Sequence, residues 1–472
     1  MTREASAGER VASTFPGTCA AVELRDAGSK GKGLYAADKC KSGETLFAEA
    51  AYAAVVHDAY ILTTCSFCFG SPAFFKCGAC SYFVYCNRHC QRKDWTDHRD
   101  ECSNLRRVSP RRPGTTVRLA SRLLQKRIRT PESFKVLARL QTHRKKFKEE
   151  AKEQFAAISI IVTEFMTPQK CPPPDELLDL VCCLSINAHS ISNEETVNVG
   201  VGLYPMTLAM VNHSCRPNTF AFFHGSAVRL KCARPIEKGE ELSLAYVAIE
   251  EPMVDRRRAL KSQYLFDCFC EICGPILAGA ELDARQRVLC PNSMCAGRGR
   301  YVDVGDHIQK PECIVCGMFH EKHWPLVRAE IAEARRLYTL ASSCRSDQDA
   351  VTLLAQASKL LRHHSDGATD ILTIRRALED RYIQIQSWSA AYDAVQETLE
   401  SIVSVYGSCG RITIETIQLL KVAKISLLVD GPRSYEWFRK ASVAAEITYG
   451  RTHPLTVAAY KSLMECCLSG HS

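Results

Sequence analysis

The 472-residue chain has no long uninterrupted apolar run. Its longest, "AYAAVVHDAYIL", is broken by His57 and Asp58, and a bilayer crossing needs about 20 apolar residues in succession. No membrane span is therefore expected. The first fifteen residues, "MTREASAGERVASTF", lack the apolar core of a signal peptide, so the expectation is a protein inside the cell. Acidic residues are scarce in one place. Between Ser103 and Lys148 fifteen Lys and Arg face a single acid, Glu132, so this segment carries +14 in a chain of net charge +9. Such a face suits nucleic acid or an acidic protein partner. A solvated helix surface is the alternative, because "RLLQKRIRTPESFKVLARLQTHRKKFKEEA" carries Leu, Ile, Val and Phe at helix-like intervals.

Cysteine is not scarce. The 25 cysteines are too sparse for a small disulfide scaffold, yet many recur at short spacings, which is the pattern of metal ligands in a reducing compartment. From Cys65 to Cys102 the ligand types run Cys65, Cys68, Cys77, Cys80, Cys86, Cys90, His98 and Cys102. Eight ligands make two closed, four-coordinate zinc sites of the structural kind. Cys86 with Cys90, and His98 with Cys102, are each four apart, which lets each pair project from one face of a helical turn. His89 lies in the same stretch and is read as a surface residue. Spacing alone leaves open which pairs share a metal.

The ending "YC...C...W..H...C" resembles a MYND zinc finger. The resemblance implies interleaved pairs, with Cys65, Cys68, Cys86 and Cys90 on one zinc and Cys77, Cys80, His98 and Cys102 on the other. It also implies proline-containing peptides as partners, and DNA contact in some members.

A third group needs two distant segments. "CFCEIC" supplies Cys268, Cys270 and Cys273, one thiolate short of a tetrahedral site, and Cys215 in "MVNHSCRPN" completes it. A zinc there would staple "YLFDCFC" against "NHSC" and bring Tyr264 and Phe266 beside Asn212 and His213. The flanking sequence is β-like. "AVRLKCA" alternates Val228, Leu230 and Cys232; "RPIEKGEELSLAY" turns at Lys238-Gly239 and returns with Leu242 and Leu244 on one face, ending at Tyr246. "KSGETLF" repeats the turn chemistry, and "SKGKGLYAA" offers glycines that let backbone approach a ligand.

"GKGL", "GVGLYP", "NHSCRPN", "GEELSLAY" and "CFCEIC" resemble, in order, the blocks of a SET-domain lysine methyltransferase. A MYND finger inserted after the first block makes the whole chain similar to the SMYD family. The resemblance implies an α+β multidomain fold: an N-terminal SET part at 1–64, the finger at 65–102, a helical insertion at 103–195, core SET at 196–250 and a post-SET zinc segment at 251–275. The "NHSC" segment would thread beneath a loop. Implied too is methyl transfer from S-adenosylmethionine to a lysine of a histone or other protein, with Tyr246 as the catalytic tyrosine. The cofactor residues carried over are Lys30, Gly31, Lys32, His143, Asn187, Asn212, His213, Tyr246 and Phe266. His143 and Asn187 also admit a core or capping reading, and Lys32 a plain turn reading. A non-catalytic adaptor in transcriptional regulation, recruiting partners through finger and helices, is the competing class. Nucleus and cytoplasm, and a monomer, are expected.

Residues 276–323 add "CPNSMC" and "CIVC". Cys290, Cys295, Cys313 and Cys316 have the outline of a zinc ribbon, a fourth metal site. From residue 324 to 472 the pattern is helical and repetitive: Tyr406 with Tyr449, Gly407 with Gly450, Ile412 with Leu455 and Ile414 with Val457 recur at a period of 43, as in a tetratricopeptide-like array. Such an array either buttresses a cleft or docks a partner, and the family resemblance implies a chaperone tail as that partner.

Overall fold

A computed structural model of the chain describes residues 9–11, 22–193, 197–281, 283–290, 292, 294–295, 298–300, 313, 315–318, 323–362, 364, 369–406, 413–429 and 431–468. Two compact units share the chain. One holds residues 1–213, 217–244 and 260–267; the other holds 214–216, 245–259 and 268–472.

In the first unit, β1 (Glu9–Val11), β2 (Val22–Asp26) and β3 (Lys32–Ala36) form an antiparallel sheet. Next come β4 (Thr45–Ala50) and β5 (Ala53–Val56), then the small ribbon of β6 (Phe75–Lys76) and β7 (Val84–Tyr85). Helices α1 (Arg88–Val108), α2 (Thr115–Arg129), α3 (Pro131–Phe134), α4 (Glu149–Met166) and α5 (Pro174–Asn187) follow. The long basic stretch is thus broken by Pro131 and by short turns between α3 and α4. α2 buries Val117, Leu119, Ala120, Leu123 and Leu124, and each of the larger side chains contributes about 1.5–3 kcal/mol of transfer free energy.

The chain then returns to sheet. β8 (Ala188–Ser192) and β9 (Asn198–Leu203) lie with β5 in one sheet, β9 at its centre. β10 (Asn212–His213) is followed by β11 (Thr219–His224) and β12 (Ala227–Cys232), and β12 pairs with both β11 and β4. Val228, Leu230 and Cys232 are all buried, as their alternation requires; Lys231 between them is buried as well, with its ammonium over the Phe220 and Phe222 rings. Lys238-Gly239 does turn, with Gly239 at φ +81°. The returning strand β13 (Ser243–Leu244) does not close a hairpin on β12, however; it pairs in parallel with β10.

The second unit contains most of α6 (Met253–Gln263), then α7 (Cys273–Leu277) and the hairpin of β14 (Arg287–Leu289) with β15 (Arg298–Arg300). Seven helices complete it: α8 (Trp324–Ser343), α9 (Asp347–Arg362), α10 (Thr369–Gln384), α11 (Trp388–Tyr406), α12 (Thr413–Val429), α13 (Gly431–Tyr449) and α14 (Pro454–Leu468). Each packs on the next in sequence. Tyr406 ends α11 and Tyr449 ends α13, so the period of 43 is the step from one helix pair to the next. Gly407 and Ile412 lie outside the described residues. Two apolar clusters run through the array, one centred on Val327, Leu354 and Ile371, the other on Val395, Val422 and Phe438. Among the described residues no helix is long and apolar enough to cross a membrane.

Candidate active site and metal centres

All described cysteines are free. Four groups bring four ligand atoms each within 4.8 Å of one another: Cys65, Cys68, Cys86 and Cys90; Cys77, Cys80, His98 and Cys102; Cys215, Cys268, Cys270 and Cys273; and Cys290, Cys295, Cys313 and Cys316. Sulfur–sulfur separations are 3.5 Å for Cys68–Cys86, 3.8 Å for Cys77–Cys102, 3.6 Å for Cys215–Cys273 and 3.7 Å for Cys295–Cys313. A disulfide needs about 2.05 Å, whereas ligands on a tetrahedron of 2.3 Å bonds sit roughly 3.8 Å apart. The donor sets and their spacing therefore fit zinc at all four places, and the two finger groups interleave.

Local structure explains how the finger does this. His98 and Cys102 share a face of α1, but Cys86 and Cys90 do not share a helical turn. Asn87 is the N-cap of α1, its side chain accepting from the Cys90 amide at 3.0 Å, so Cys86 precedes the helix and Cys90 sits in its first turn. His98 presents Nε2 to Cys77 at 3.3 Å and to Cys80 at 3.6 Å. Burial, helped by Arg122, drops the His98 pKa to about 3 and keeps the imidazole in the neutral form that binds metal. His89 is exposed, as expected.

The finger is tied to its unit by buried charge. Arg122 on α2 donates to Glu101 at 2.8 Å and to the carbonyl of Ala54 in β5 at 3.0 Å, and lies 3.4 Å from Asp94, which accepts from the Tyr85 hydroxyl at 2.8 Å. Burial pushes Glu101 and Asp94 above the usual carboxylate range despite Arg122. Much of the basic segment is matched in this way. Arg118 meets Asp58, Arg127 meets Glu176, Arg129 meets Asp97, and Arg144 meets Asp175 and Asp179.

The cofactor candidates of the first unit gather around the start of β3. A short turn at Gly28–Lys30 leads into Gly31 at φ +83°, where an added Cβ would meet nothing within 4 Å, so the backbone lies open to a ligand. At Gly33 the opposite holds: a Cβ would stand 2.8 Å from Asn212 Nδ2 and 3.2 Å from Glu241 Oε1. Asn212 donates to the carbonyl of Lys32 at 3.1 Å and to Glu241 at 2.9 Å, and Glu241 also holds the Lys30 ammonium at 2.7 Å. Lys32 is exposed. His213 is buried, its ring 6.1 Å from that of half-exposed Phe266. Leu265, at φ +64°, is the kink between Tyr264 and Phe266, and burial raises the Tyr264 pKa.

Asn187 and His143 come together in a different sense. The Asn187 amide donates to the carbonyls of Gln141 at 2.9 Å and Cys183 at 2.8 Å, so it pins the end of α5 to the loop two residues before His143. His143 itself is left-handed at φ 46°, and burial followed by Lys146 lowers its pKa. Tyr246 follows β13 by two residues, half-exposed, in the second unit.

Two residues escaped the reading of the sequence. Glu241 joins Lys30 and Asn212, and Asn218 donates to Glu240 at 2.9 Å and to the Glu241 carbonyl at 2.8 Å while accepting from the Ser243 amide at 2.8 Å. Asn218 is the last residue of "NHSCRPN"; its amide fixes the approach of β13 to β10.

The SET domain family model matches residues 31–247. Mouse histone-lysine N-methyltransferase SMYD3 is 34% identical over 262 residues, covering 53% of this chain and 61% of that protein. Bovine N-lysine methyltransferase SMYD2 is 32% identical over 252 residues, with 52% and 58% covered. Residues 31–247 thus resemble a SET domain, and the chain is similar to SMYD methyltransferases. A plant relative, histone-lysine N-methyltransferase ASHR1 of Arabidopsis thaliana, is 29% identical over 287 residues, with 57% and 58% covered. The chain thus spans about three-fifths of the length of these SMYD and related proteins.

Proposed function

We propose that the protein is an S-adenosylmethionine-dependent protein-lysine N-methyltransferase acting on histones or other proteins. The observation that carries this is the cradle at β3: an open glycine backbone at Gly31, a Gly33 that leaves no room for a side chain, and Asn212 clamped between the Lys32 carbonyl and Glu241. It lies within the stretch that matches the SET domain. The chemistry of these donors fits the cofactor. Asn212, His213 and the Gly31 backbone would hold its polar part, and Phe266 offers an aromatic face to the adenine.

S-adenosylmethionine supplies an electrophilic methyl on a sulfonium. The chain's own task is alignment and deprotonation. In-line displacement needs the amine held about 3 Å from the methyl carbon. The lysine must also be neutral, and at a reference pKa near 10.4 only about one in a thousand is so at neutral pH. Aromatic, water-poor surroundings disfavour the ammonium. Tyr246 is assigned the hydroxyl that orients the amine. Tyr246→Phe is expected to lower transfer of labelled methyl at least a hundredfold while zinc content stays as in the parent; equal activity removes Tyr246 from the mechanism.

The adaptor reading draws on Phe74, Phe75 and Trp95, exposed on the finger. Proline-containing peptides there, a chaperone tail at the tetratricopeptide-like helices, nucleic acid at the basic segment, and residence in nucleus and cytoplasm are proposals of the same rank. Calorimetry with S-adenosylmethionine separates the classes: no cofactor binding by the zinc-loaded protein favours the adaptor.

A further inference from the structure

The segment that follows Tyr246 is gripped by its backbone in an unusual way. Three consecutive carbonyls, those of Ile249, Glu250 and Glu251, each accept from a side chain of a different element. Arg285, in the turn before β14, donates Nε to Ile249; Thr369, the first residue of α10, donates its hydroxyl to Glu250 at 2.8 Å; and Arg256 of α6 donates to Glu251. All belong to the second unit, as does Tyr246.

The two arginines are organised by one carboxylate. Asp283 is buried, accepts from the Met253 amide at the start of α6 at 2.5 Å, and lies 3.3 Å from Arg285 and 3.8 Å from Arg256. Arg256 has no exposed side-chain surface and also donates to Cys215 Sγ at 3.3 Å. Its charge offsets that of thiolates while its guanidinium reaches the carbonyl. Buried arginines are costly, and a loop that needed only to be closed would not require two. What the arrangement does supply is a fixed exit, three residues on, for the backbone that carries the Tyr246 hydroxyl.

We propose that Arg256, Arg285 and Thr369 are positioning residues for Tyr246, holding the Ile249–Glu251 carbonyls so that the helical array sets the place of the catalytic hydroxyl. This rests on the methyltransferase reading. A displacement of about 1 Å at a reacting group can cost up to a hundredfold in rate, so a loosened grip shows first in kcat.

The test is steady-state methyl transfer by the zinc-loaded full chain, with Thr369→Val and Thr369→Ser compared with the parent. Valine keeps the shape and removes the donor; serine keeps the donor. The expected result is a kcat roughly tenfold lower in Thr369→Val, unchanged KM for S-adenosylmethionine, unchanged zinc content, and recovery in Thr369→Ser. Should Thr369→Val not fold, Arg285→Lys, which keeps the charge and loses the Nε donor, is read by the same split. Parental kcat in the variant overturns the proposal, as does equal impairment of valine and serine or a change confined to KM. A parent that transfers no methyl refutes the methyltransferase reading instead, which the parental control reports separately.

Discussion

The metal groups of the finger and the group at 290–316 are built from similar cysteine-rich ligand sets, yet their surroundings differ. In the finger, His98 and Cys102 are buried, Phe83 stacks edge-on to His98 at 4.7 Å, and Arg122 with Glu101, Asp94 and Tyr85 forms a buried polar network along α1. At 290–316 Cys316 is exposed, and Met294 and Val315, one in each knuckle, are 92% and 67% exposed. Among the described residues that group is attached where Val288 enters the helical core and the Leu289 amide donates to the His364 carbonyl at 2.7 Å. The difference teaches that ligand spacing reports coordination, whereas what a metal supports depends on how much buried structure leans on it.

The largest effect should come from breaking the network that distinguishes the finger. Arg122→Ala leaves Glu101 and Asp94 buried without their cation, a loss of about 3–5 kcal/mol. The melting temperature of the first unit should fall by roughly 10 °C, read by scanning calorimetry on zinc-loaded protein. A shift within a degree or two would mean that the metals alone hold the finger in place.

Buried charge marks the first unit elsewhere, and its pH dependence sharpens the same contrast. Glu49 on β4 accepts from the Met206 amide at 3.1 Å and from the Thr207 hydroxyl, and burial raises its pKa from 4.5 to about 7. Between those values the folded chain keeps a proton that the unfolded chain has lost. Stability therefore falls as pH rises from 4.5 through 7, by roughly 3 kcal/mol in all. Glu49→Gln, which mimics the protonated acid, should flatten the decline in melting temperature between pH 5.5 and 8. An equally steep decline in the variant would assign it to another group.

How much of this was legible follows from where the information sits. Metal ligands announce themselves because coordination needs fixed residue types, and even Cys215, about fifty residues from its partners, was legible because the trio at 268–273 lacks one ligand. Glu241 and Asn218 gave no such signal: a carboxylate or amide is ordinary until its partners are known, and Lys30 lies more than two hundred residues from Glu241. The parallel pairing of β10 with β13 was hidden for the same reason, since a turn at Gly239 reads as a hairpin. Charge counting does not show which cations the fold matches. The acids that match Arg129, Arg127 and Arg144 are Asp97, Glu176, Asp175 and Asp179, and all lie outside the stretch in which the cations crowd.

The smallest effect is expected at the group around Cys316. Replacing this exposed ligand by serine leaves three sulfurs, too few for a closed site, so bound zinc should fall from four equivalents to three by metal analysis. Little else should move. Among the described residues the knuckles bury few side chains, and Val288 is held by the helical core independently of the metal, so the melting temperature should change by less than about 5 °C. A chelator should likewise strip this metal before those of the finger, where burial slows access. If Cys316→Ser instead destabilised the protein as much as Arg122→Ala, exposure would be no guide to what a metal site carries, and the contrast between the two regions would fail at its premise.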